Sequence, residues 1–102
     1  MVDKKILIRL TKIGRGINEG YDTISFAQGV ELKRDGKLTV NLTSYPNMAM
    51  QFDQSEDEEV IANFINLIKK CIRRDVMANK IEGRVSDWKV ESVTLKMEIE
   101  CN

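Results

Sequence analysis

The chain contains no histidine, and this absence excludes more functions than any other feature of its composition. Catalytic triads and dyads that depend on an imidazole base are excluded, and so are zinc sites with histidine ligands. Acid–base catalysis near neutral pH would need a carboxylate, lysine, cysteine or tyrosine with a shifted pKa. We therefore expect a protein that is not an enzyme and that uses no metal or other cofactor.

Net charge and long apolar runs are also missing from the sequence. Sixteen basic residues balance 16 acidic ones among the 102 residues, so no overall field attracts nucleic acid or an anionic membrane. The apolar run after Lys5 ends at Arg9, which makes it too short for a signal peptide or a membrane span. Without an export signal, Cys71 and Cys101 are expected to be reduced thiols in the cytoplasm.

Alternation of apolar and polar residues predicts a sheet that occupies most of the chain. The predicted strands cover roughly residues 4–13, 21–33, 38–43, 48–52 and 93–99. The uninterrupted apolar residues 6–8 predict a first strand buried on both faces, and hence a central position. Asp35-Gly36 predicts a tight hairpin turn between the second and third strands. Since no linker divides the sequence, we predict a single domain over residues 1–102.

One strong amphipathic helix is predicted from Ser55 to about Arg74. Ser55 and Glu58 have the spacing of a capping box, which marks its beginning. Asp75 falls within the apolar face, where an unpaired carboxylate is costly, so we expect the helix to bend or stop there. A short second helix is expected over residues 76–81. The predicted fold is α+β, with element order β-β-β-(β)-α-β: one main helix on one face of a mostly antiparallel sheet of four or five strands.

This helix is narrow compared with the sheet that it must cover. A helix with its side chains is about 10–12 Å across, whereas five strands extend over about 20–24 Å. The apolar residues predicted to face the helix are Ile6, Ile8, Leu10, Ile24, Phe26, Leu38, Val40, Leu42, Met48, Met50, Phe52, Val93, Leu95, Met97 and Ile99. We therefore expect a second covering element, which is either the segment 76–81 with Trp88, a second copy in a homodimer, or a protein partner.

Two positively charged segments are candidates for contact with a partner or a phosphate group. The end of the predicted helix carries a basic ridge of Lys69, Lys70, Arg73 and Arg74, and Arg15 lies in the glycine-containing loop 14–20. The ordinary alternative is a solvated helix end, whose cations complement the helix dipole. No aromatic residue is interleaved with the ridge, which disfavours single-stranded nucleic acid.

The segment Gln54–Ile65, continuing to Lys69, resembles the main helix of some small phage anti-CRISPR proteins, and residues 93–98 resemble the C-terminal segment of such inhibitors. The resemblance implies a phage or mobile-element inhibitor of a host system, and it transfers no individual site residue. From the residues and this resemblance together we predict a non-enzymatic cytoplasmic binding protein that acts through protein–protein contacts. The alternative is a nucleic-acid-binding accessory protein that uses the basic ridge.

Overall fold

Five antiparallel strands and one long helix form the fold, as seen in a computed structural model that describes residues 2–53, 58–81 and 83–98. The strands are β1 (Val2–Lys12), β2 (Thr23–Leu32), β3 (Leu38–Thr43), β4 (Phe52–Asp53) and β5 (Trp88–Glu98). The helix α1 covers Glu58–Met77, between β4 and β5. The α+β fold predicted from the sequence is confirmed, including the single main helix and the antiparallel sheet.

β1 is the central strand. β5 pairs with it over its whole length, from Val2 opposite Glu98 to Lys12 opposite Trp88. The other edge of β1 is shared, because β2 pairs with residues 9–12 and β4 pairs with residues 5–6. β3 pairs with β2 through the predicted hairpin, in which Gly36 has a φ of 81°. Among the described strands, β5, β3 and the short β4 each pair with a single neighbour and are therefore outer strands of the sheet.

The helix packs on one face of this sheet and forms the main core with it. Ile68 is fully buried, and it lies in one cluster with Ile8 and Leu10 of β1 and with Val90 of β5. Near the beginning of α1 the ring of Phe64 meets that of Phe52 edge to face, with centroids 5.6 Å apart. An amphipathic helix over the middle of a sheet is what the apolar periodicity predicts.

The predicted end of the helix is wrong, because α1 continues through Asp75 to Met77. Asp75 is only partly buried, and its carboxylate accepts a hydrogen bond of 3.1 Å from Arg74, which removes the cost of an unpaired charge. The helix ends where Asn79 adopts a left-handed φ of 57° and Lys80 donates its N–H to the Asp75 carbonyl. The separate helix expected over 76–81 therefore does not form, and the predicted Ser55 cap lies outside the described residues.

Two strand predictions also need correction. Residues 48–52 do not form a strand; Pro46–Met48 make a 3₁₀ turn, and β4 contains only Phe52–Asp53. Pro46 fixes φ and donates no backbone hydrogen bond, which favours this turn. The last strand begins at Trp88 rather than Val93.

The sheet buries apolar residues on both faces, as the run over 6–8 predicts. Leu7 and Ile8 are 1% and 0% exposed, although neighbouring residues of a strand point to opposite faces. Ile8 belongs to the core under α1, whereas Leu7 lies opposite Val93 on the other face. On that face Lys5 is ion-paired with Asp53 and Arg9 with Glu91, so charged side chains flank Leu7 on both sides.

The predicted inward-facing set is consequently wrong in part. Ile24, Phe26 and Val93 share the face of Leu7, because they pair with β1 residues of its parity. Ile24, Leu42 and Met48 are 50%, 42% and 53% exposed. Trp88 and Val90 take the helix-facing positions of β5 instead. Ile99 and the side chains of Leu95 and Met97 lie outside what the structure describes.

Candidate functional site: a cationic groove

Three of the predicted cationic residues border a cavity of about 430 Å³ between α1 and β5. We call it the cationic groove. Its lining combines four polar residues of α1 with apolar residues of α1, of β5 and of the short 3₁₀ turn Val85–Asp87 before β5. The lining residues are Asn66, Lys69, Lys70, Ile72, Arg73, Val85, Trp88 and Val90. The groove thus joins the end of the helix to the beginning of an outer strand.

One wall of the groove is a polar stripe of α1. Asn66, Lys69 and Arg73 follow one another at spacings of three and four residues, which places them on one side of the helix, and Lys70 lies beside them. All four side chains are exposed. Within the described ranges, none of the three cations of this wall forms an ion pair. Their charges are therefore available to a ligand.

The floor of the groove is apolar. Ile72 and Val90 are each 8% exposed, Trp88 is half-buried and Val85 is 43% exposed. Trp88 and Val90 alternate along β5, so both side chains point toward α1. The Nζ atom of Lys12 lies 5.8 Å from the centroid of the Trp88 ring, close enough for a cation–π contact. Sequence analysis missed this floor, since its members come from two elements that meet only in the folded chain.

Arg74, the fourth residue of the predicted ridge, is not part of the groove. Its Nη1 donates a hydrogen bond of 2.8 Å to the carbonyl oxygen of Leu38 in β3, and its Nε donates to Asp75. The hydrogen bond to Asp75 raises the pKa of Arg74 above its ordinary value. Arg74 therefore holds the other side of α1 against β3, and the ridge contributes three cations to the groove.

Arg15 is separate from the groove as well. It lies at a second cavity, of about 460 Å³, between the loop after β1 and the turn before β5. Its Nε donates to the carboxylate of Asp87, a residue that is 1% exposed. The carboxylate also accepts the backbone N–H of Arg84 at 3.0 Å. Both donors lower the pKa of Asp87, and the Arg84 N–H has the larger effect, followed by the Arg15 side chain.

Asp87 therefore fixes the entry into β5, and its neighbours are arranged around it. Its backbone carbonyl accepts the N–H of Ile13 at 2.8 Å, which ties the end of β1 to the same point. Gly83 has a φ of +99°, and a Cβ atom there would lie 3.0 Å from Oδ2 of Asp87. The sequence offered no periodic signal for Asp87, because its role depends on contacts with residues far along the chain.

The groove combines three cations with an apolar floor. In the described part of the chain, no three cysteine or acidic side chains come close enough together to hold a metal ion. None of the described helices has the length and apolar character that a membrane span requires. Comparisons with protein-family models, curated proteins and solved structures found no match. Unpaired cations beside an apolar floor suit a ligand that has both an acidic and an apolar group.

Proposed function

We propose that this protein is a non-enzymatic binding protein that recognises an acidic segment of a partner protein in the cationic groove. The proposal rests on one observation: Lys69, Lys70 and Arg73, which form no ion pair within the described residues, lie beside the apolar floor around Trp88. Carboxylates of the partner would meet the cations, and an apolar side chain would cover the floor. Such a mixture of an apolar anchor and a charged rim is typical of protein interfaces.

A protein ligand fits this groove better than a nucleic acid does. Ile72, Val85 and Val90 dominate the floor, and aliphatic side chains offer no stacking surface to a base. The ring of Trp88 is half-buried and has the Lys12 ammonium group near it. A protein that binds duplex DNA can contact about 6–10 phosphates, so three cations are few for this role. Nucleic-acid binding by the basic ridge stays the competing prediction.

The resemblance of residues 54–69 and 93–98 to anti-CRISPR proteins favours one biological form of this proposal. In that form, a cytoplasmic phage or mobile-element inhibitor occupies an acidic surface of a host protein. The neutral net charge agrees with recognition through a local groove rather than through an overall field.

Self-association as a homodimer is proposed on a different observation, the exposed apolar residues of the β2–β3 hairpin. Ile24, Leu32 and Leu42 are 50%, 67% and 42% exposed. Apolar residues gathered on one exposed part of a sheet are typical of a protein–protein contact. Sedimentation velocity over a range of concentrations tests this, and a strict monomer would contradict it.

The groove proposal is tested by selecting random nine-residue peptides on the full chain by display. We expect the enriched peptides to contain several acidic residues and an apolar one. Trp88 is the only tryptophan, so its fluorescence reports binding in the groove directly. Lys69→Glu combined with Arg73→Glu should weaken binding by at least about tenfold, because attraction becomes repulsion.

The matched control reverses two cations outside the groove, Arg34→Glu with Lys37→Glu in the β2–β3 turn. It changes the net charge by the same amount and should leave peptide affinity nearly unaltered. Failure to enrich acidic peptides, or equal losses in the two double variants, would contradict the proposal. Tighter binding of a single-stranded or duplex oligonucleotide to the groove would favour the nucleic-acid alternative.

A further inference from the structure

The outer edge of β5 adjoins the cationic groove and is open to another strand. β1 occupies one edge of β5 over all 11 residues of the strand, and β2 and β4 lie on the far side of β1. Within residues 2–53, 58–81 and 83–98, no strand pairs with the second edge. An unpaired edge presents a row of backbone N–H and C=O groups that can accept a further strand.

The helix runs along β5, so a strand added at this edge would pass beside the cationic wall. The ring of Phe64 in α1 contacts that of Phe52, and Phe52 pairs with Ile6 of β1. Ile6 also pairs with Thr94, so this part of α1 lies level with Thr94 of β5. Eight residues later along α1, Ile72 lines the groove with Val90 and Trp88. α1 and β5 therefore extend side by side in opposite directions.

The spacing of the cations matches that of side chains on a strand. Lys69 and Arg73 are four residues apart in α1, which is about 6 Å along the helix axis. Side chains on one face of a strand are two residues apart, which is about 6.6 Å. Two helix-facing carboxylates of an added strand would thus reach successive cations of the wall. An apolar side chain on the same face would lie over the floor.

On the opposite face of β5 the cations have an ionic partner. Glu91 accepts hydrogen bonds from Arg9 and lies 3.4 Å from the Nζ of Lys89. The hydrogen bond from Arg9 is the main reason that the pKa of Glu91 is lowered. The cations of the groove, by contrast, form no ion pair within the described residues, so an acidic strand at this edge would gain more by directing its carboxylates to the helix side.

Building on the proposed function, we infer that the partner segment binds as an extended β-strand added to the free edge of β5. Its backbone pairs with β5, and its helix-facing side chains combine acidic residues with an apolar one. Backbone pairing supplies affinity, and the alternating pockets supply specificity, as in other cases of strand addition. The occupant is an extended acidic segment of another protein.

The test uses the full chain, labelled with ¹⁵N, and a synthetic peptide with acetylated and amidated ends, Thr-Glu-Thr-Glu-Thr-Leu-Thr, whose two glutamates are two residues apart on one face of a strand. We expect the peptide to change Trp88 fluorescence and to slow hydrogen exchange at alternate amides of residues 88–94. N-methylation of the peptide amides that face β5 should weaken binding by about tenfold or more, because it removes backbone hydrogen bonds. N-methylation of the intervening amides is the matched control and should have a much smaller effect.

The outcomes separate this inference from the function on which it rests. Binding that is lost in Lys69→Glu with Arg73→Glu, but that tolerates N-methylation of either set, would overturn strand addition and leave groove binding intact. If neither this peptide nor any display-selected peptide binds through the groove, both proposals fail. Concentration-dependent protection of the β5 amides in the free chain would identify a second copy as the occupant and would overturn the inference.

Discussion

Replacing Leu7 by alanine tests whether the sheet is closed on the face that α1 does not cover. Leu7 is 1% exposed and lies away from the helix-side core, opposite Val93. Removing a fully buried leucine side chain beyond Cβ costs about 2–5 kcal/mol, from lost transfer free energy and from the cavity left behind. A domain of 102 residues has a free energy of unfolding of about 5–15 kcal/mol, so the variant should lose a large share of it.

The assay is urea denaturation followed by circular dichroism, with thermal melting as a second measurement. We expect a fall in Tm of at least about 10 °C for Leu7→Ala. Ile17→Ala is the control, because Ile17 is 98% exposed and its truncation should change stability by only about 0.5 kcal/mol. Equal losses of unfolding free energy in the two variants would refute the conclusion that ion pairs and neighbouring strands bury Leu7 on this face.

Three further predictions concern the turn before β5 and the thiol of α1. Gly83→Ala should destabilise the fold by about 1–3 kcal/mol in urea denaturation, because of its positive φ and the close Asp87 carboxylate, whereas Gly29→Ala, with open space and no positive φ, should not. The lowered pKa of Asp87 stabilises the fold above its ordinary value of 3.8, and this contribution is lost as pH falls through the lower folded pKa. The gap in urea midpoint between the wild type and Asp87→Asn should therefore narrow below pH 3.8, and a gap independent of pH would contradict this assignment. Cys71 is 7% exposed, so in a Cys101→Ser background it should react with a thiol reagent much more slowly in the native state than in denaturant.

The helix shows how far local sequence rules reach. Its apolar spacing identifies the buried face correctly, since Ile61, Ile68 and Ile72 all lie in the core. The same rules place the end of the helix too early, because they treat Asp75 as an unpaired carboxylate. Arg74, the adjacent residue, supplies its partner, and the left-handed Asn79 provides the actual end.

The last strand shows why the direction of a face is harder to predict than the presence of a strand. Trp88 and Val90 are apolar at even positions, whereas Val93 is apolar at an odd one. Alternation alone cannot assign these two sets to one core, because they lie on opposite faces of the strand. Its register with β1 decides the matter by placing Val93 opposite Leu7.

The candidate site was predictable on one side only. The helix stripe of Lys69, Lys70 and Arg73 follows from helical spacing, which is a local property. Its apolar counterpart depends on contact between α1 and β5, and the exclusion of Arg74 depends on the carbonyl of Leu38 in β3. Both are contacts between distant parts of the chain, so no pattern within one segment reveals them.

Both cavities border the turn that precedes β5, the first at Asp87 and the cationic groove at Val85. Asp87 binds Arg15 and the Arg84 N–H with its carboxylate and the Ile13 N–H with its carbonyl, and it directly precedes Trp88. Contacts from two segments of the chain, the loop after β1 and the turn itself, thus fix the residue just before Trp88, with which β5 begins. The residues 84–87 therefore position the beginning of the strand that has the open edge. Arg15, predicted as a binding residue, is one of the residues that hold this turn in place, and its contact with a partner stays a prediction.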